Sequence, residues 1–103
     1  MDYLKVEFFV PQEHLATIIE ALNQAGFLRE GNYDYCYAYT PVKGHFRPLD
    51  NAQPFIGQTN VIEEVDEVKV EFRIESQNQT LTLELIKQHH PYEVPVINFM
   101  RLV

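Results

Sequence analysis

The stretch Val6-Glu7-Phe8-Phe9-Val10 returns, little altered, as Val70-Glu71-Phe72-Arg73-Ile74. Around the first copy, Leu4, Val6, Phe8 and Val10 fall on one face of an extended chain. Lys5, Glu7 and Phe9 fall on the other. Around the second copy, Val68, Val70, Phe72 and Ile74 alternate with charged residues in the same way. A period of two is the mark of a strand with one face on a core. Each copy is followed by a helical stretch and then by another strand. Two self-similar strand–helix–strand halves predict the order βαββαβ. In that order the first and third strands lie in the centre of an antiparallel four-stranded sheet, with two helices on one face. The second and fourth strands are edges, open to pairing with other copies.

The intervening segments fit this frame. Pro11 suits a helix start, Leu15, Ile18, Ile19, Leu22 and Ala25 follow at helical spacing, and Gly26 supplies a stop. Asn32–Thr40 reads as the second strand, with Tyr33, Tyr35, Tyr37 and Tyr39 on one face and Cys36 on the other. Residues 41–66 show no sustained period and carry three prolines and two glycines, so they read as a long loop, of the kind that is functional or mobile. Residues 77–90 fit a strand by alternation, or a helix by the row Leu81, Leu85 and His89. The repeat favours the helix, with Ser76 or Asn78 at its start and Pro91 at its end. Tyr92–Val103 reads as the last strand, and Pro95 within it suits a strand start or a sheet edge.

The totals bound the function. One domain over residues 1–103 is expected from the length, with a core small enough that subunit contacts would help it. A net charge of −7 repels phosphate backbones and anionic lipid, so nucleic acid and membrane surfaces are not expected partners. Cys36 is the single cysteine, which excludes an internal disulfide and fits a reducing, cytoplasmic setting. The opening residues have neither signal-peptide nor membrane-span character.

Specific motif pieces then point to a family. His90–Ile97, "HPYEVPVI", resembles the closing motif of CutA-like proteins, trimers of ferredoxin-like subunits related in fold to the PII signalling proteins. The chain is more closely similar to the CutA-like domain inserted in the Nif-three proteins. Its Gly-x-Tyr-x-x-Cys pattern matches Gly31, Tyr33 and Cys36, and its Gly-x-Phe-x-Pro pattern matches Gly44, Phe46 and Pro48. Pro54 and Gly57 follow in order, then the glutamate-rich "EEVDEVKVE" at Glu63–Glu71. The resemblance implies an α+β, PII/CutA-like fold and a homotrimer. It implies no two-metal chemistry, because the metal site of the Nif-three proteins lies in their flanking core domain. This chain looks like a standalone version of the insert.

The piece "GHFRPLDNAQPFIG" offers His45 and Arg47 as donors for an anion and Phe46 and Phe55 as apolar anchors. PII-like proteins bind ligands between subunits beside the corresponding loop. The alternative is a loop packed on a neighbouring subunit. Glu7, Glu71, Lys5, Lys69 and Arg73 share the sheet face away from the apolar set. They read as an ion-pair network at an interface, or as carboxylates for acid–base work or a cation. Tyr33 and its neighbours could stack a ligand or pack between subunits. Cys36 and His90 could join His45 or a glutamate in a soft metal site, although no zinc-type spacing is present. Adjacent His89 and His90 otherwise read as a helix terminus. The reading is a small trimeric module holding a small ligand or a divalent metal ion in an intersubunit cleft. An assembly domain without a small ligand is the alternative, and a small enzyme stands third.

Overall fold

The computed structural model describes residues 2–103. The alternating stretches form strands β1 (Tyr3–Val10) and β3 (Glu63–Glu75). Around them lie α1 (Leu15–Gln24), β2 (Ala38–Phe46), α2 (Gln79–His89) and β4 (Ile97–Arg101). All four strands join one antiparallel sheet in the order β2-β3-β1-β4, as the βαββαβ reading requires. The two echo segments pair with each other: Val6 lies opposite Phe72, Glu7 opposite Glu71 and Phe8 opposite Val70. The repeat therefore turns about the Glu7–Glu71 pair at the middle of the sheet.

The core lies between the sheet and the helices. Val6, Phe8, Val10, Val68, Val70 and Ile74 are buried from the strands, with Ile18, Ile19 and Leu22 from α1 and Ile86 from α2. α1 stops where expected: Gly26 takes φ +85°, and the Phe27 amide closes back on the Leu22 carbonyl at 3.0 Å. The inner face of α2 is Thr82 and Ile86, with Leu85 partly buried. Leu81 points outward, so the Leu81–Leu85–His89 row is not the packing row.

Three boundaries differ from the sequence reading. The second strand starts at Ala38, not at Asn32, and the tyrosines form no continuous row. Tyr35 adopts φ +52°, because its amide donates to Asn23 Oδ1 at 2.8 Å and its hydroxyl to Glu20 at 2.8 Å, both on α1. The Cys36 amide is held by the Leu28 carbonyl. These bonds tie residues 33–36 to the helix layer instead of the sheet. The strand instead continues through Pro41, Gly44 and Phe46, pairing with Val68, Val65 and Glu63, so the expected loop at 41–66 shrinks to 47–62. An edge strand has one ladder side free, which is why Pro41 is tolerated. The last strand begins at Ile97. The chain from Tyr92 to Val96 is a turn, and Pro95 precedes the strand.

β2 and β3 outrun the sheet. β1 ends at Val10, opposite Val68, so Val42–Phe46 and Glu63–Glu67 continue as a two-stranded ribbon. The molecule is accordingly elongated, 46 × 23 × 22 Å. Among the described residues no helix is long and apolar enough to cross a membrane.

Candidate functional site

Pro91 decides the local geometry at the end of α2. It holds His90 in an extended conformation, φ −85° and ψ 135°, and swings the imidazole under β1. There the ring lies edge-on to Phe8, with Nε2 2.6 Å from the Phe9 carbonyl. Nδ1 accepts the Tyr92 amide at 3.1 Å. Nδ1 is therefore the acceptor and Nε2 carries the proton. Burial, the largest influence, lowers the His90 pKa and keeps the ring neutral.

Tyr92 stands next in the same corner, its ring 4.9 Å from that of His90 and near both Phe46 and Phe55. Its hydroxyl donates to Glu67 Oε2 at 2.7 Å. Burial first, and that hydrogen bond second, push the Tyr92 phenol well above its ordinary range. Glu67 is only 9% exposed. The 47–62 loop is fastened over this corner by Glu93, whose carboxylate accepts the Gln53 amide at 3.0 Å, and by Phe55 packing edge-on to His14.

Between the ribbon, the loop and the Tyr92–Val96 turn lies a cavity of about 560 Å³. That volume is in the range of small-molecule sites. Phe46, Phe55, Ile56, Pro54 and Tyr92 give it largely apolar walls, Glu67 contributes a carboxylate, and His45 and Arg47 also line it. His45 stands 3.6 Å from Glu64 across the ribbon.

The predicted site residues divide. His45, Phe46 and Arg47 come together at this cavity. Glu71 does not: it lies along β3 from Glu64, the partner of His45, by roughly 23 Å of strand. It pairs with Lys5, whose ammonium hydrogen bond holds the Glu71 carboxyl below the usual range. Lys69 stands 4.0 Å from Glu7, so the two facing glutamates each have a lysine across the strands. Arg73 leaves this network to bind Glu30 at 2.8 and 3.0 Å and to stack over Tyr3. Tyr33 is 76% exposed and bridges to Glu30, away from the cavity.

Cys36 and His90 are not brought together. The Cys36 thiol contacts the Asp34 carbonyl, whereas both ring nitrogens of His90 are occupied within the fold. Among the described residues no group of three or more His, Cys, Asp or Glu side chains is placed to share a metal ion. The residues missed from sequence are Glu67 and Tyr92 as a pair. Glu67 is one acid in an acidic run, and Gly44, which leaves room for its carboxylate, reads from sequence as a loop glycine.

No family model matches the chain. The GTP cyclohydrolase 1 type 2 homolog of Staphylococcus aureus (strain Mu50) is 41% identical over 100 residues, covering 97% of this chain and 27% of that protein. A solved Bacillus cereus protein related to NIF3 superposes with a TM-score of 0.83 at 29% identity, over 98% of this chain and 26% of that one. The periplasmic divalent cation tolerance protein CutA of Archaeoglobus fulgidus gives 0.72 at 17% identity, over 97% of this chain and 83% of that one. The chain thus spans about a quarter of the first two proteins and most of the third.

Proposed function

We propose, from the premise that this chain is a CutA-like domain of the type carried in Nif-three family proteins, that it is a homotrimeric module binding a small ligand beside the β2–β3 ribbon. The cavity carries the reading. It has apolar walls for a ligand body, and His45, Arg47, Glu67 and Glu93 among its lining for orientation. Phe46 supplies an aromatic wall, and Phe55, half exposed at 51%, closes the loop side. A neighbouring copy completes the cleft. Two open edge strands and a ribbon that outruns its own core support that assembly, since an isolated two-stranded ribbon is marginal in water.

The name of the staphylococcal relative belongs to a protein about four times longer, and cyclohydrolase chemistry is not part of the proposal. A metal ion at Cys36 and His90 is likewise left out, for the geometric reasons above. The second reading, an assembly domain with no small ligand, is favoured by one observation: Val94 is 78% exposed beside the cavity and could be covered by another copy.

A small-molecule thermal-shift screen on the assembled protein separates the two. Ligands that raise the midpoint for the unaltered chain and not for a Phe46→Ser/Phe55→Ser double variant support the module. A variant with normal helix and strand content and the same ligand response overturns the use of this cavity. Loss of about 1–3 kcal/mol is expected from removing two half-buried rings.

A further inference from the structure

We infer that the cavity beside the ribbon recognises a small organic cation, a protonated amine on an aromatic body, through Glu67. This deepens the proposed function and rests on it. Glu67 is nine-tenths buried. Its Oε2 accepts from Tyr92, while Oε1 accepts from no donor among the described residues and stays accessible. That free oxygen lies over the backbone of Gly44, 1.9 Å from where a Cβ would stand. Gly44 is a regular strand residue in register with Val65, so it answers a need for space, not for an unusual conformation. The fold thus clears room for a carboxylate inside an apolar cavity.

A largely buried carboxylate gains from a counter-charge beside its open oxygen. Phe46, Phe55 and Tyr92 form the adjoining walls, and ring faces attract cations as well as apolar bodies. A divalent metal fits less well, because it requires several oxygen ligands and among the described residues no group of three or more His, Cys, Asp or Glu side chains gathers to supply them. His45 and Arg47 also line the cavity but are exposed to solvent, whereas Glu67 is buried within it, so an anion placed at Oε1 would be repelled. A cationic head against Oε1, with an aromatic body along Phe46 and Tyr92, uses each of these groups.

The test titrates the intact folded chain with phenethylamine, phenylacetate and phenethyl alcohol, read by amide chemical shifts. Phenethylamine is expected to give saturable shifts at Gly44, Glu67 and Tyr92, with affinity at least about tenfold above the other two, as for a charge-assisted hydrogen bond. Glu67→Gln keeps the shape and the Tyr92 bond. It should weaken the amine about tenfold and leave the alcohol unchanged. Gly44→Ala, which pushes the carboxylate aside, should weaken the amine in the same direction and supplies a second arm should Glu67→Gln not fold. Equal binding of all three probes, unaffected by either variant, overturns cation recognition and leaves the small-ligand reading standing. No saturation by any probe overturns both, as would occur if a side chain of a second copy already fills the cavity.

Discussion

A single imidazole shows how much local structure one side chain can fix. His90 caps the Phe9 carbonyl and receives the Tyr92 amide, so it joins the end of α2, the end of β1 and the turn before β4. His90→Ala should destabilise the chain by about 2–4 kcal/mol in denaturant unfolding, through lost packing and two unmade hydrogen bonds. The pH response has a definite sign. The folded pKa of His90 is depressed below its ordinary value of 6.5. Its contribution is therefore complete above the unfolded pKa and is lost as pH falls toward the folded one. Stability should fall as pH is lowered through 6.5 and below, and the drop should be smaller in His90→Asn. Thr82 makes the opposite case. Its hydroxyl is fully buried on α2 with no partner among the described residues, so Thr82→Val should raise the unfolding midpoint, by an amount equivalent to about 1 kcal/mol of stability. An unchanged or lowered midpoint would show that the hydroxyl is satisfied in solution.

At the scale of elements, hydrogen bonds to α1 override strand propensity in the tyrosine-rich stretch. Asn23 accepts the Tyr35 amide and donates to Asp34 at 3.2 Å, so one side chain holds residues 34 and 35 off the sheet. Asn23→Ala should cost about 1–2 kcal/mol and speed amide exchange at Tyr35 and Cys36, with the β1–β3 amides unaffected. Equal protection in the variant would remove Asn23 as the cause. The same stretch explains what sequence could and could not disclose. β1, β3 and α1 were legible because each buries a regular period of apolar side chains; the boundaries of β1 and α1 agree closely with the pattern, while β3 begins four residues earlier than it, at Glu63. β2 was not, because it buries almost nothing of its own: every residue from Ala38 to Pro41 is exposed, and its pairing with β3 is a backbone matter that leaves no period. Half the cavity was legible, since His45, Phe46 and Arg47 are consecutive. Glu67 and Tyr92 meet across distant sequence, and the sequence carried no sign of their pairing.

At the scale of the whole molecule, the elongated shape and the two free sheet edges bear on assembly. Sedimentation at micromolar concentration should report about three monomer masses, in keeping with the proposed trimer. A monomer there would remove the intersubunit part of the cleft, while leaving the cavity within one chain. The order of strands has a further consequence, for biosynthesis. β1 is the only strand bonded to both β3 and β4, yet it is made before either of them. Until residues 68–75 emerge, Val6, Phe8 and Val10 have α1 as their main apolar cover and no strand to pair with. Closing so long a loop is an entropic cost that the nascent chain meets before any sheet contact repays it. One of the two central strands is thus a β segment without a strand partner until residues 68–75 are made, which exposes it to mispairing in the interval.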